Sequence, residues 1–382
     1  MHVMHVIDSM HGGGAETSLL EVAPVLAARG VTMSIVTLLP DDGSLEDRLD
    51  ALGVRHTRLK RHDPLRSARE LRALIRIERP ELLHTTLLFA TLAGRMAAWA
   101  TRTPVVTTLA NEDYGPEHRA HSRYGPCGVG AAHGADLITA PLTTRFHAIS
   151  REVAETMGRR LRIPGERIQV VYRGRDPARL GLPTPDRRLR IRAALSIDPT
   201  APVVLSVARL DRQKNVDTTV EAFRMLLTRM PNAMLLIAGR PGNGSALVEA
   251  KARGCSNIRL LGHRSDVPDL MCAADVLSFP SRWEGLGGTL VEAMALRLAI
   301  VASEIRPVVE ALGEVKWPLV QPDDASALAE ALAAVIEGHT PSDALRDAGD
   351  RRFRVFFTAE AASVGMVDLY QHALFEARRQ GA

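Results

Sequence analysis

The sequence is poor in the features that mark secreted, zinc-binding or membrane-spanning proteins. It has three cysteines, Cys127, Cys255 and Cys272, which lie far apart, and no Cys/His spacing that is typical of a zinc site. No stretch approaches the roughly 18–20 uninterrupted apolar residues that a spanning helix needs. The N-terminus enters a strand-like pattern directly, without the features of an export signal. We therefore expect a cytoplasmic protein whose cysteines are reduced packing residues.

The sequence does have the size and composition of a globular protein with two domains. Hydrophobic residues make up 46% and charged residues 24% of the 382 positions, which excludes a mainly disordered chain. A chain of this length exceeds what one hydrophobic core usually serves. Apolar, β-branched segments alternate with helical patterns, which predicts βαβ units around parallel sheets. The predicted strands are 2–8, 32–38, 82–85, 105–109, 137–139 and 168–171, then 203–207, 233–238, 258–261, 276–279 and 299–302.

A segment rich in proline, glycine and arginine, residues 175–185, separates the two sets of strands. We predict one doubly wound α/β domain over 1–178, a second over 179–358, and a C-terminal helix over 359–382. That helix would pack back on the first domain or form an end cap. Because ligands bind outside the carboxyl ends of parallel strands, two such domains facing each other would form a central cleft.

Glycines follow the first predicted strand directly. Gly12, Gly13 and Gly14 precede a helix-like segment, so the backbone there could approach a diphosphate closely. The pattern is not the Gly-x-Gly-x-x-Gly of dinucleotide-binding folds, and a nicotinamide or flavin cofactor is not expected. An ordinary structural turn is the alternative interpretation.

Two cationic residues, Arg209 and Lys214, follow the predicted strand 203–207. Arginine binds phosphate oxygens as a planar fork and lysine as a point charge, so the pair could clamp a diphosphate leaving group. Lysine is rare in this chain, which has only Lys60, Lys214, Lys251 and Lys316. Its use at a strand end favours a specific role, and a solvated loop charge is the alternative.

Two glutamates, Glu284 and Glu292, flank a glycine turn between a strand-like and a helix-like segment. Amides at a helix N-terminus attract anions, whereas carboxylates accept hydrogen bonds from sugar hydroxyls. The combination predicts a site for a nucleotide-sugar. The alternative is that Glu292 is a first-turn acid favoured by the helix dipole and Glu284 a solvated loop acid.

In their order and positions these segments resemble the GT-B glycosyltransferases, specifically the retaining family 4. The resemblance runs over nearly the whole chain and includes residues 261–268 and 273–281. It implies two Rossmann-like domains facing a central cleft. It also implies transfer of a sugar from a nucleotide diphosphate donor, with a UDP-sugar favoured, to an acceptor on the N-terminal domain. No protein nucleophile or other cofactor is implied, and no metal, because no Asp-x-Asp motif is present.

The resemblance also implies roles for single residues. Arg209 and Lys214 would bind the donor phosphates, Glu284 would contact sugar hydroxyls, and Glu292 would hold the ribose. With the position of Ala110, the first three form the predicted catalytic set. The predicted donor-binding residues are Gly13, Gly14, Arg209, Lys214, Gly262, His263, Arg264, Glu284, Gly287, Gly288, Thr289, Leu290 and Glu292, with residues 262–264 along the base.

One departure from the family lies next to the expected reacting centre. Leu109-Ala110-Asn111 stands where the family usually has Leu-His-Asn, so Ala110 replaces a histidine that contacts the donor sugar. Loss of one such polar group costs on the order of 10²–10³ in rate. An engineered inactive variant, a natural divergence and an alignment slip are all open. The candidate substitutes for this histidine are His84, His118, His121 and His133.

Two other functions stay open as alternatives. The absent histidine motivates a non-catalytic sugar-nucleotide-binding protein. A sugar-nucleotide epimerase of the same fold is the weaker alternative, because the sequence shows no obvious set of acid and base residues for it.

The acceptor is not identified by the sequence and is either a small molecule or lipid-linked. Asn111, Tyr114 and Tyr124 are the candidate residues on the acceptor side. Arginines crowd residues 55–79, where an apolar helical stripe leaves a basic outer face. That face predicts peripheral contact with an anionic membrane, and a solvated helix face is the alternative. Nucleic-acid binding is not expected, because no interleaved aromatics or binding motif accompany the arginines.

Overall fold

The computed structural model describes residues 1–11, 13–39, 46–60, 63–122, 124–340 and 342–380. The chain divides into two compact units, one of Met1–Asp176 with Phe356–Ala382 and one of Pro177–Val355. The boundaries predicted from the sequence lie after residues 178 and 358.

The first unit is built on a seven-stranded sheet. Its strands are β1 (His2–Ile7), β2 (Thr32–Thr37), β3 (Arg55–Arg58), β4 (Leu82–Thr86), β5 (Val105–Leu109), β6 (Arg145–Ala148) and β7 (Ile168–Val170). All pair in parallel, in the order β3-β2-β1-β4-β5-β6-β7. The strand order reverses between β1 and β4, and in doubly wound sheets ligands bind at the carboxyl ends beside such a reversal.

Helices connect these strands, and two of them begin at side-chain caps. Asp63 accepts a hydrogen bond from the Arg66 amide at 2.9 Å, and Ser150 accepts one from the Val153 amide at 3.1 Å, which satisfies donors in two first turns. The helices are α1 (Gly14–Ala28), α2 (Glu46–Ala51), α3 (Pro64–Glu78), α4 (Leu88–Thr101), α5 (Pro116–His121), α6 (Gly125–Thr139) and α7 (Arg151–Arg160), with 3₁₀ turns at Ala140–Leu142 and Gly165–Arg167.

The second unit has a six-stranded parallel sheet in the order β10-β9-β8-β11-β12-β13. These strands are β8 (Val203–Val207), β9 (Met234–Ala238), β10 (Ile258–Gly262), β11 (Val276–Phe279), β12 (Ala299–Ser303) and β13 (Leu319–Val320). The strand order reverses between β8 and β11. The carboxyl ends of these two strands therefore border the expected ligand crevice of this unit.

The remaining helices follow in chain order, and those up to α15 lie within the second unit. They are α8 (Pro177–Leu180), α9 (Pro185–Ala194), α10 (Val216–Leu226), α11 (Ser245–Ala252), α12 (Val267–Ala273), α13 (Gly288–Ala295), α14 (Arg306–Leu312), α15 (Ala325–Ile336), α16 (Ser342–Phe356) and α17 (Ala359–Gln380). The last helix, α17, packs against α1 in the first unit. No helix in the described ranges is long and apolar enough to cross a bilayer.

Alternating residues of β1 divide the core of the first unit into two layers. Val3 and Ile7 join the layer that includes α1 and α17, whereas Met4 and Val6 join the layer of α3 and α4. All four side chains are fully buried. The period of two along a strand is what sends neighbouring residues to opposite faces of the sheet.

One predicted strand was wrong. Residues 137–139 form the last turn of α6, because Asp136 and Thr139, one turn apart, both bind the buried guanidinium of Arg95. The distances are 2.6 Å from Arg95 Nη1 to Asp136 Oδ1 and 3.0 Å to Thr139 Oγ1. Three short strands, β3, β6 and β13, were not predicted.

Candidate functional site

The predicted donor-binding residues of the second unit lie at the carboxyl ends of β8 and β11. Arg209 and Lys214 follow β8, while Glu284 and the helix α13 follow β11. Because these strands are neighbours at the reversal of strand order, the two segments lie at the same edge of the sheet.

Lys214 and Glu284 form a direct ion pair. The distance from Lys214 Nζ to Glu284 Oε1 is 2.5 Å, and the Ser281 hydroxyl donates to the same oxygen at 2.8 Å. The Glu284 side chain is 6% exposed and that of Lys214 22%. A second contact joins the two loops, since the Gln213 side-chain amide donates to the Trp283 carbonyl at 2.8 Å. The predicted phosphate-binding lysine and the predicted sugar-binding carboxylate are therefore one connected group.

Arg209 is the more accessible cation, with 63% of its side chain exposed. Its Nε bonds the carboxylate of Asp211, which also accepts a hydrogen bond from the Asn243 amide at 3.1 Å. The loop that contains Asn243 starts at Gly239, where a Cβ atom would lie 1.7 Å from the Ala208 carbonyl oxygen. Glycine is therefore required for the close packing that supports the Arg209 segment.

The glycine turn before α13 has the backbone of a helix-entry loop. Gly287 has φ 89°, and a Cβ there would meet the Leu290 side chain at 2.9 Å. The hydroxyl of Thr289, in the first turn, donates to the Val207 carbonyl at the end of β8 at 3.3 Å. Gly288 begins the helix, so its first amides lie beside β8. The carboxylate of Glu292 is one turn further along, 3.6 Å from the Arg179 guanidinium.

The three residues predicted to line the base follow β10. Gly262 has φ 66° at a register shift in the pairing of β10 with β9. His263 Nε2 lies 3.4 Å from Arg240 Nη2. Arg264 forms two hydrogen bonds with Asp266, at 2.8 and 2.6 Å, and these bonds lower the pKa of Asp266. Their contact with a base stays a prediction.

In the first unit, Gly13 caps α1 and Gly14 begins it. A Cβ at Gly13 would lie 2.6 Å from a carboxylate oxygen of Glu16, so a side chain there would displace that carboxylate. The Ser18 hydroxyl donates to the Gly14 carbonyl at 2.8 Å, and Arg175 Nη1 donates to the Ser18 oxygen at 2.5 Å. Gly12 lies outside the described residues.

Sequence reasoning missed one acidic residue at the carboxyl end of β1. Asp8 Oδ1 accepts a hydrogen bond from the Ala90 amide at 2.7 Å, in the first turn of α4. Burial raises the pKa of Asp8 to about 6, with a smaller contribution from the Glu16 carboxylate, although the amides of Ala90 and Phe89 oppose the shift. An aspartate directly after the first strand was the available signal.

The candidate acceptor residues differ in their surroundings. Asn111 Oδ1 accepts a hydrogen bond from the Glu112 amide at 3.0 Å, and Tyr124 is 59% exposed. Tyr114 is buried and donates its hydroxyl to Asp136 Oδ2 at 2.9 Å, and burial raises the pKa of that hydroxyl. The structure thus gives Tyr114 a buried contact with α6, and the acceptor role of all three stays a prediction.

The four candidate substitutes for the histidine at position 110 all have partners inside the first unit. His84 is 1% exposed and its Nδ1 lies 2.8 Å from the Tyr370 hydroxyl. The other three contact loop or helix groups. His118 accepts from the Tyr114 amide, His133 lies 2.9 Å from the Arg160 carbonyl, and His121 lies 3.5 Å from Glu117.

In the described ranges no group of three His, Cys, Asp or Glu residues could hold a metal ion.

Two family models match the chain, one on each side of residue 180. The model for Glycosyltransferase Family 4 matches residues 12–179, and the model for Glycosyl transferases group 1 matches residues 187–352. The chain belongs to the GT-B glycosyltransferases of family 4. This membership confirms the predicted family and fold class of two doubly wound α/β units.

Curated relatives of this glycosyltransferase chain match it over part of their length. The lipopolysaccharide core biosynthesis mannosyltransferase LpsB of Rhizobium meliloti is 27% identical over 212 residues, which cover 53% of this chain and 60% of LpsB. A GDP-mannose-dependent monoacylated alpha-(1-6)-phosphatidylinositol monomannoside mannosyltransferase of Corynebacterium glutamicum is 26% identical over 185 residues, 46% of this chain and 49% of that one. The chain therefore spans about half to three-fifths of these relatives.

The fold also matches solved structures over nearly its whole length. HepE of Anabaena, solved in complex with UDP-glucose, superposes with a TM-score of 0.83 at 19% identity, covering 97% of this chain and 99% of HepE. At this identity the match establishes the fold of the chain and leaves its donor and acceptor open.

Proposed function

We propose that this protein transfers a sugar, with retention at the anomeric carbon, from a nucleotide diphosphate sugar to an acceptor hydroxyl. The donor we favour is a UDP-sugar. The observation that carries the proposal is the Lys214–Glu284 pair at the strand-order reversal of the second unit, beside the amides that open α13. The cation and the helix amides at this sheet edge suit the phosphates of such a donor and the charge that develops when they leave. The carboxylate suits the sugar hydroxyls.

In the proposed reaction, the bond between the anomeric carbon and the diphosphate oxygen breaks as the acceptor oxygen bonds to the same face. Arg209 and Lys214 offset the negative charge that develops on the diphosphate. The departing diphosphate takes the acceptor proton. Glu284 holds sugar hydroxyls and is not a nucleophile, since its Oε1 is already bonded by Lys214 and Ser281. The nucleotide-sugar is a substrate, and no metal or other cofactor takes part.

The choice of donor rests on family membership and on HepE, whose structure contains UDP-glucose. GDP-mannose is the alternative donor to test, because one relative is named as GDP-mannose-dependent. Isothermal titration with UDP-glucose, UDP-galactose and GDP-mannose tests the base and the sugar together. Tighter binding of the UDP-sugars supports the proposal, and tighter binding of GDP-mannose contradicts this choice of donor.

The phosphate role of Lys214 is tested by Lys214→Met. Loss of a hydrogen bond to a charged group costs about 1.5–3 kcal/mol, so the donor Kd should rise about 10- to 100-fold. Lys251→Met is the matched control, because Lys251 pairs with Asp217 and Glu221 at 2.8 and 2.6 Å, outside the proposed donor site. Equal effects of the two substitutions would contradict the proposed role.

The residue at position 110 separates an enzyme from a non-catalytic binding protein. Ala110 favours the second candidate function, because it removes the imidazole that the family places near the transferred sugar. Sugar transfer and donor hydrolysis should be measured in the natural protein and in Ala110→His. Turnover in the natural protein supports the enzyme, and turnover that appears only in Ala110→His shows an impaired site. Tight donor binding without turnover in either protein would establish the binding protein instead.

We also propose that the acceptor is lipid-linked and that α3 contacts an anionic membrane. Arg69, Arg72 and Arg76 are exposed on this helix, next to Leu65 and Ile77, which are 69% and 78% exposed. Basic side chains beside exposed apolar ones are typical of helices that lie at a membrane surface. The names of both relatives refer to lipids: lipopolysaccharide in one and a phosphatidylinositol mannoside in the other.

The membrane proposal predicts retention by vesicles that contain anionic phospholipid at low salt. Substitution of Arg72 and Arg76 by glutamate should release the protein. The same charge change at two exposed arginines of the second unit, Arg190 and Arg253, is the control. If vesicles fail to retain the natural protein at low salt, the acceptor is better sought among soluble compounds.

A further inference from the structure

A band of buried polar side chains crosses the first sheet on the face that packs against α1 and α17. His5 on β1 pairs in register with His84 on β4, and their ring centroids are 4.4 Å apart. His147 on β6 follows, with its ring centroid 5.8 Å from that of His84. The three side chains are between 1% and 7% exposed. They lie against the hydrophobic cluster that includes α1 and α17.

All three rings are neutral at neutral pH. Burial lowers the pKa of His5 to about 3 and that of His147 to about 4, and it lowers the pKa of His84 well below its usual value. A neutral imidazole has one N–H donor and one bare nitrogen that accepts. Each ring therefore donates a hydrogen bond from one nitrogen and accepts one at the other.

The Val171 carbonyl fixes that direction. It lies 2.8 Å from His147 Nε2 and can only accept, so Nε2 carries the hydrogen and Nδ1 is bare. The Thr108 hydroxyl, 3.0 Å from His147 Nδ1, must then donate to it. Thr108 in turn accepts from His84 Nε2 at 2.7 Å, which leaves His84 Nδ1 bare. The Tyr370 hydroxyl, 2.8 Å away, therefore donates to His84 Nδ1.

The chain of hydrogen bonds thus runs from Tyr370 through His84, Thr108 and His147 to Val171. Burial raises the pKa of Tyr370, which keeps its hydroxyl protonated, as this direction requires. Because the only hydrogen of the Tyr370 hydroxyl is used, its oxygen can still accept but has nothing left to donate. The Tyr370 oxygen, at the start of this series of hydrogen bonds, can therefore accept one more hydrogen bond.

A second polar atom that can still form a hydrogen bond is Nδ1 of His5. His5 Nε2 lies 3.0 Å from the Thr86 hydroxyl, whereas His5 Nδ1 is buried and has no hydrogen-bond partner among the described residues. His5 and Tyr370 both line a cavity of about 70 Å³, together with Ser18 and apolar side chains such as Met366. Burying a polar atom without a hydrogen bond costs free energy, so we expect a bound molecule to satisfy this nitrogen.

We propose that this cavity is a built site for ordered water, held at the open oxygen of Tyr370 and at His5 Nδ1. The volume exceeds the roughly 10–15 Å³ that a cavity needs to hold one water. Water suits the site because it donates to Tyr370 and either donates to or accepts from His5. Arg173 is the charged residue among the lining side chains, which makes an anion the competing occupant. Because Tyr370 lies on α17, the site connects the C-terminal helix to the sheet.

The direction of the chain is tested by nitrogen NMR of the full protein labelled with ¹⁵N-histidine. Near neutral pH, His84 and His147 should both carry their hydrogen on Nε2, with bare Nδ1 nitrogens. The two resonances are assigned with His84→Gln and His147→Gln. A hydrogen on Nδ1 of either ring would reverse the chain and overturn the proposal.

The occupant is tested by a crystal structure at a resolution that shows ordered water. Density for water is expected within hydrogen-bond distance of His5 Nδ1 and the Tyr370 oxygen. In His5→Phe the water at that position should be lost, whereas Thr86→Val, the matched control, removes only the partner of Nε2 and should keep it. An empty cavity, an anion at Arg173, a larger molecule, or water that survives His5→Phe would each refute the site.

Discussion

Acid should destabilise the first unit because its three sheet histidines are buried in the neutral form. A histidine whose folded pKa lies below its unfolded value contributes full stability above the unfolded pKa, near 6.5, and loses it as the pH falls toward the folded value. For His5 and His147 the folded values are about 3 and about 4. The window of loss therefore runs from about pH 6.5 downward.

The size of the loss depends on the pH range over which each ring is charged in the unfolded chain but still neutral in the folded protein. Between pH 6.5 and about pH 5, each pH unit is worth about 1.4 kcal/mol per ring, so His5 and His147 each cost about 2 kcal/mol. His84 adds to the loss in the same direction. Asp8 opposes the loss, because its folded pKa of about 6 lies above the ordinary value of 3.8, so its protonation in acid recovers about 1 kcal/mol by about pH 5. Asp113, whose pKa burial also raises, opposes the loss as well. The expected net loss from His5, His147 and Asp8 is about 2–3 kcal/mol, a large part of the 5–15 kcal/mol typical of domains.

Groups outside the three rings do not reverse this sign. His5 and His84 repel each other when charged, and the guanidinium of Arg173 further disfavours protonation of His147. The packing partner from α17, Tyr370, is kept neutral by burial and supplies no compensating charge. The Val171 carbonyl, which accepts a hydrogen bond from His147, raises the pKa of that ring, but burial is the larger effect and the pKa stays low.

Urea denaturation at about pH 8 and about pH 5 measures the loss, with hydrogen exchange of β1 and α17 peptides identifying the first unit. In His147→Gln, whose amide can still donate and accept, the loss should shrink by about 2 kcal/mol. His339→Gln is the control, because that side chain is 71% exposed and lies in the second unit. A first unit equally stable at both pH values, or an unchanged loss in His147→Gln, would refute the argument that these rings are buried and neutral.

Three further substitutions test packing and charge. Gly239→Ala should destabilise the second unit by about 2–3 kcal/mol in urea denaturation, because its Cβ would overlap the Ala208 carbonyl oxygen; a change within about 0.5 kcal/mol would contradict the close approach. Gly134→Ala, inside α6 with open space around it, should instead raise the melting temperature through a helix-propensity gain of about 1 kcal/mol, and a decrease would show hidden packing. Asp275→Ala should cost about 3–5 kcal/mol of unfolding free energy, since it leaves the 1% exposed guanidinium of Arg192 without its carboxylate; a loss below about 1 kcal/mol would show that the carbonyls around it suffice.

Apolar runs predicted most of the fold, and three strands match the predicted limits residue for residue: Val105–Leu109, Val203–Val207 and Val276–Phe279. The pattern failed where burial depends on distant partners. In β6, Arg145-Phe146-His147-Ala148 reads as polar, yet His147 is buried because Thr108 and Val171, 39 and 24 positions away, bond its two nitrogens. No local window contains those partners. The same limit explains why residues 137–139, with their strand-forming composition, were misassigned although Arg95 holds them in a helix.

For the candidate site, the sequence predicted which residue types occur and on which strand ends, but not how they pair. Lys214 and Glu284 are 70 positions apart, and their contact depends on β8 and β11 being neighbours. Sheet order is a tertiary property that spacing along the chain does not contain. Asp8 was missed for a related reason, since its partner is the first turn of α4, 82 positions away.

The pairing of Lys214 with Glu284 changes what a single substitution at either position can mean. Glu284→Gln removes a sugar contact and also frees the lysine it holds at 2.5 Å, whereas Lys214→Met leaves a largely buried carboxylate without its cation. The two losses of donor affinity should therefore not add. In a double-mutant cycle measured by isothermal titration, the double variant should lose less affinity than the two single variants together, with a coupling of about 1–3 kcal/mol. The control cycle pairs Glu284→Gln with Lys251→Met and should be additive. Additive losses for Lys214 and Glu284 would mean that they bind the donor independently, as separate phosphate and sugar contacts.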